Sequence, residues 1–107
     1  MSFEVRTIAV FEKQAKRLKR KYPSLKSELT ELTSSLGTNP EQGASLGNNC
    51  FKIRLAIRSK KRGKSSGARV IIYVLIEAGL VYLLSIYDKS EQRSVNQKEI
   101  DRLLSLI

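Results

Sequence analysis

Residues 50–58 read Cys-Phe-Lys-Ile-Arg-Leu-Ala-Ile-Arg, and their period of two decides how the chain is read. Phe51, Ile53, Leu55 and Ile57 occupy the odd positions. Lys52, Arg54 and Arg58 occupy even ones. Alternation places these two sets on opposite faces of an extended strand. One face can bury itself against a second layer, while the other carries cations into solvent.

The pattern continues toward the C-terminus. Ser59 to Gly67 reads Ser-Lys-Lys-Arg-Gly-Lys-Ser-Ser-Gly, a loop too polar and glycine-rich to pack. Ala68 to Ile76 is a β-branched strand. Glu77-Ala78-Gly79 makes a tight turn, and Leu80 to Tyr87 returns, so the two strands form a hairpin. Asn96, with Glu99 three residues on, forms a capping box that opens a short helix. Ile100, Leu103, Leu104 and Ile107 supply its apolar face.

Toward the N-terminus, Gly37 to Asn49 is rich in Gly, Asn and Ser and reads as a loop. Before it, Leu25, Leu29, Leu32 and Leu36 make the stripe of one helix, with Ser24 as its cap and Gly37 as its stop. Phe11, Ala15, Leu18 and Tyr22 make the stripe of another, closed by Pro23. Its opposite face holds Lys13, Lys16, Arg17, Lys19, Arg20 and Lys21. Phe3 to Arg6 alternate as a first strand. The predicted fold is α+β: an N-terminal strand, an antiparallel helical hairpin on a mainly antiparallel four-stranded sheet, and a short C-terminal helix. At 107 residues, with no internal repeat or linker, 1–107 is one domain.

Composition narrows the chemistry. Twenty Lys and Arg against ten Asp and Glu give a net charge of +10. That imbalance favours polyanions: nucleic acid first, an acidic protein second, a membrane surface last. No histidine is present, so imidazole is unavailable as base, metal ligand or pH switch. The single Cys50 allows neither an internal disulfide nor a zinc site. The acidic residues are scattered and do not suit two-metal catalysis. The sequence therefore points to no cofactor and no metal. The longest apolar run, Val70 to Ile76, is too short for a bilayer, and the N-terminus lacks a signal-peptide pattern. The expected location is the cytoplasm.

From Lys52 to Arg69 there are eight basic residues and no acidic one. Carrying strand parity across the sheet places Lys52, Arg54, Arg69, Tyr73, Tyr87 and Lys89 on one open face, with Tyr22 and Tyr82 turned into the core. Arg58, Lys60, Lys61, Arg62 and Lys64 extend this basic surface. Such a set suits RNA: Lys and Arg neutralise phosphates, and Tyr stacks on an unpaired base or donates a proton. A basic sheet face is more often a binding surface than an active site. Cleavage through the RNA 2′-hydroxyl is nevertheless within its reach. Crowding by cations favours a neutral lysine base, and arginine stays charged to stabilise a phosphorane.

Three segments together resemble a known family: Cys-Phe-Lys-Ile-Arg-Leu (50–55), Gly-Ala-Arg-Val-Ile-Ile-Tyr (67–73) and Tyr-Leu-Leu-Ser-Ile-Tyr-Asp-Lys-Ser-Glu (82–91). In order and spacing they are similar to the RelE/ParE toxin superfamily. The Lys-Arg-Gly-Lys insertion before the second segment is most similar to its RelE-like HigB branch. The resemblance implies a microbial RNase-type fold and a type II toxin that cuts mRNA in the ribosomal A site without a metal. It also implies a cognate antitoxin. Lys52 and Arg54 match the paired basic positions of the first long sheet strand, Arg69 the arginine opening the next, and Lys89 the basic segment after the last. The family's usual arginine after Lys89 is Ser90 here, and its downstream tyrosine is absent. Tyr87 takes that role in the Ile-Tyr-x-Lys pattern. Arg54, Arg69, Tyr87 and Lys89 are thus the expected catalytic residues. Lys52, Arg58, Lys60, Lys61, Arg62, Lys64 and Tyr73 are the expected RNA-binding ones. The alternatives are a ParE-like gyrase inhibitor without chemistry, or a plain RNA- or ribosome-binding module.

Overall fold

A computed structural model describes residues 2–60 and 67–107. The elements follow in the order β1 (Glu4–Thr7), α1 (Ala9–Lys21), α2 (Leu25–Thr38), β2 (Ala44–Gly47), β3 (Cys50–Leu55), β4 (Ala68–Leu75), β5 (Leu80–Asp88) and α3 (Gln97–Leu104). Short 3-10 turns follow β3 (Arg58–Lys60) and β4 (Ile76–Ala78). The sheet runs β1-β5-β4-β3-β2; only β1 lies parallel to its neighbour.

The expected α+β layering is present, with one more strand than the periodicity suggested. Ala44–Gly47 lies within the stretch read as a loop and pairs with β3 at the sheet edge. Its composition gave no strand signal, because an edge strand needs only half of its backbone groups paired. Gly43 precedes it at φ +87°, where a Cβ would stand 2.3 Å from the Lys52 carbonyl oxygen. Only glycine permits that approach. Helix α2 also runs past Gly37 to Thr38, and the Gly37 carbonyl accepts a bond from the Phe3 N–H at 2.7 Å.

The helical stripes are where the spacing put them. Phe11, Ala15 and Leu18 of α1 and Leu25, Leu29, Leu32 and Leu36 of α2 are buried. They join Ile53, Val70, Ile72, Val74, Val81, Leu83 and Ile86 in the core. Each fully buried Leu or Ile contributes about 2 kcal/mol of apolar transfer free energy. The C-terminal helix is capped as expected at Asn96, whose Oδ1 accepts from the Glu99 N–H at 2.9 Å. The Glu99 carboxylate turns instead to Arg102.

Two departures reshape the sheet's second face. Ile71 pairs with Ser85 but Ile72 with Leu83, leaving Leu84 without a partner on β4. This bulge reverses the alternation of β5. Val81 and Leu83 thereby join the core face, while Tyr82 pairs with Tyr73 on the other and stacks on it at 6.4 Å. Tyr82 is thus half-buried outside the core, against the sequence expectation. The second departure is α3, which covers part of the face expected to be open. Ile100 and Leu103 are buried in one cluster with Cys50 and Ile71, both fully inaccessible.

Candidate functional site

Three register pairs build the centre of the basic face. Arg54 on β3 is opposite Arg69 on β4, and Arg69 is opposite Tyr87 on β5. Directly paired residues place their Cβ atoms about 5 Å apart on one face. Arg54, Arg69 and Tyr87 therefore stand side by side across three strands. Lys52 is one row further along the same face, paired with Ile71. Lys89, two residues beyond Tyr87, keeps its parity, and its ammonium donates to the Arg93 carbonyl at 3.0 Å.

The row differs from an open binding surface. Arg54 is exposed, but Arg69 is 5% and Tyr87 4% accessible. The Arg69 guanidinium donates to the Ala68 carbonyl at 3.1 Å. The Tyr87 hydroxyl is buried and has no hydrogen-bond partner among the described residues. Burial pushes the Tyr87 phenol up from its ordinary value, with the Arg69 charge opposing in part. At neutral pH it keeps its proton. A buried polar group without a partner costs about 1–3 kcal/mol. Groups left in that state call for an account, and a role in chemistry is one.

The remaining expected residues divide. Tyr73 lies four residues from Arg69 along β4, roughly 13 Å at strand rise, and stacks on Tyr82 rather than joining the row. Arg58 was expected outward beside Lys52 and Arg54. The strand stops at Leu55, and the 3-10 turn swings Arg58 toward α2, where its guanidinium stands 3.7 Å from Glu28 and 3.9 Å from Glu31. Its backbone N–H donates to Glu28 at 2.6 Å. Lys60 turns inward as well: its ammonium, 10% exposed, donates to Asp88 at 2.6 Å. Alternation could not foresee this, because a 3-10 turn repeats every three residues. Lys61, Arg62 and Lys64 lie outside the described residues.

One residue next to the row escaped the sequence reading. Asp88 closes β5, is fully inaccessible, and receives bonds from Lys60, Tyr22 and Ser90. Burial alone would push its carboxyl up. The bonds from Lys60, Tyr22 and Ser90 outweigh burial and hold it well below the usual carboxylate range. Its signal was there to find: an aspartate at the end of an apolar strand in a strongly basic chain. Cys50 is buried, and burial, with the nearby Asp101 charge, pushes its thiol up. It packs as a small apolar side chain.

Among the described residues, no three of His, Cys, Asp and Glu gather closely enough to hold a metal ion. No helix there is long and apolar enough to cross a membrane.

The comparisons with known proteins agree with this fold. A family model described as the RelE toxin of the RelE/RelB toxin–antitoxin system matches residues 6–106. Among solved structures, the chain is similar to a double arginine-to-alanine variant of the E. coli toxin RelE in the free state. The TM-score is 0.64 at 17% identity, covering 100% of this chain and 99% of that one. It is similar to the toxin–antitoxin complex RelBE2 from Mycobacterium tuberculosis, with a TM-score of 0.60 at 16% identity over 82% of this chain and 99% of that one. The isolated E. coli RelE toxin gives 0.51 at 18% identity, with both chains covered in full. This chain belongs to the RelE toxin family.

Proposed function

We propose that this RelE-family toxin is a ribosome-dependent mRNA endonuclease that cleaves without a metal. The observation that carries the reading is the row Arg54–Arg69–Tyr87, with a buried, protonated phenol that nothing else in the described chain engages. RNA brings its own nucleophile, the 2′-hydroxyl. In-line attack on the adjacent phosphate, with the 2′-hydroxyl proton passing to solvent water, forms the new P–O bond, breaks the bond to the 5′-oxygen and leaves a 2′,3′-cyclic phosphate. Arg54 and Arg69 face the phosphorane charge, which their two guanidiniums stabilise. Tyr87 donates its proton to the leaving oxygen. Lys52 and Lys89 complete the cationic surround. Arg69 and Tyr87 are covered in the free chain, so RNA has to displace what covers them on entering.

The Ile86-Tyr87-x-Lys89 pattern, in place of a downstream Arg and Tyr, supports a HigB-like version of the site. A cognate antitoxin as partner rests on family membership and on the M. tuberculosis relative, which was solved as a toxin–antitoxin complex. The test is mapping of mRNA 5′ ends after pulse expression in cells. Cuts at ribosome-positioned codons, lost with Arg69→Ala, are expected. Intact transcripts with DNA damage would indicate gyrase inhibition and overturn the reading.

A further inference from the structure

Tyr87 and Lys89 flank Asp88 in the chain, and alternation turns Asp88 to the opposite sheet face. There its carboxylate receives four donors. They are Tyr22 Oη at 2.6 Å from the end of α1, Lys60 Nζ at 2.6 Å from the turn after β3, and Ser90 N at 2.9 Å and Oγ at 2.7 Å. Its backbone carbonyl accepts from the Glu91 and Gln92 N–H groups at 2.9 and 3.0 Å. Those residues open the segment leading to Arg93, whose carbonyl holds the Lys89 ammonium. The Lys89 N–H donates to the Gly67 carbonyl at 3.0 Å, just before Arg69. Glu91 pairs with Arg17 at 2.7 Å and Lys21 at 3.0 Å on α1, and the Lys21 ammonium also stands 3.8 Å from the Asp88 carboxylate.

We propose that Asp88 is a positioning residue for cleavage: from behind the sheet, its carboxylate clamps the end of β5 so that Tyr87 and Lys89 keep their place in the row. This rests on the function proposed above. A leucine of similar size would fill the same space without desolvating a charge, and buried ion pairs seldom exceed such replacements in stability. What the carboxylate adds is direction. Four donors from three segments define its position, and a site that transfers a proton loses as much as 10²-fold from a displacement of about 1 Å. Ser90, which departs from the family pattern, acts here as part of the clamp.

The test uses the full chain on programmed ribosomes, with tyrosines labelled by 13C at Cζ and the Tyr87 resonance assigned through Tyr87→Phe. Asp88→Asn should lower kcat at least tenfold, leave KM within twofold, and shift the Tyr87 resonance. Tyr22→Phe, which removes one donor, should move both readouts the same way by less. It carries the test if Asp88→Asn does not fold. Leu29→Val, matched for loss of urea midpoint, should leave both readouts unchanged. A folded Asp88→Asn with wild-type kcat or an unmoved resonance overturns the clamp, as does an equal loss in Leu29→Val. Absence of any cut by the wild-type chain overturns the proposed function instead.

Discussion

Removal of one oxygen, in Tyr87→Phe, should separate stability from activity. The ring of Tyr87 is 4% exposed and packs in the core cluster, and phenylalanine keeps that packing. The lost hydroxyl is buried and makes no hydrogen bond among the described residues. Its desolvation costs the folded state about 1–3 kcal/mol. Recovery of the lower end of that range makes the variant about 1 kcal/mol more stable, or roughly 4 °C in Tm for a domain of this size. Cleavage of mRNA on programmed ribosomes should fall by about 10²- to 10⁴-fold, as for loss of a general acid. The pH dependence gives a second reading. Because the folded-state value of Tyr87 is raised, its contribution is present below the unfolded value near 10 and is lost as pH rises beyond it. The phenylalanine variant should lack that part of the alkaline loss. Urea titrations at pH 7 and pH 10.5, with cleavage measured on the same preparations, decide the matter. Undiminished cleavage, or a loss of more than about 1 kcal/mol at pH 7, would refute the reasoning.

Three further outcomes follow from the same geometry. Arg54→Ala removes an exposed cation from the row, so the salt slope of single-stranded RNA affinity should fall by about 0.7, with stability within about 0.5 kcal/mol of wild type; anisotropy titrations over a salt series measure it. Asp88 is held below its unfolded value, so its contribution is present above about pH 4 and is lost as pH falls below that; urea midpoints between pH 5 and 2 should fall less steeply in Asp88→Asn. At Gly67 an added Cβ would stand 2.2 Å from the Leu55 carbonyl oxygen, so Gly67→Ala must part β3 from β4 and should cost about 1–3 kcal/mol in a urea titration.

What the sequence determined by itself was whatever depends on period and composition. The apolar stripes of α1 and α2 and the alternation of β3 and β4 specify two layers, because each apolar face has one way to leave water. The same alternation placed Lys52, Arg54 and Arg69 on one face, and the register sets Arg54 opposite Arg69 with Lys52 one row further along. Tyr87 joined it correctly because it lies beyond the bulge at Leu84, whereas Tyr82, before the bulge, was assigned to the wrong face. A one-residue bulge leaves no compositional mark, since apolar side chains suit either side of a buried strand. The tertiary structure alone decided three things: that α3 covers part of the cationic face, that Arg58 and Lys60 turn toward Glu28 and Asp88, and that Asp88 ties α1, the turn after β3 and the end of β5 together. Each depends on contacts between residues 28 to 66 positions apart or on burial by a distant segment. No local pattern encodes such contacts. The row was therefore legible in the sequence, and its covering and its support were not.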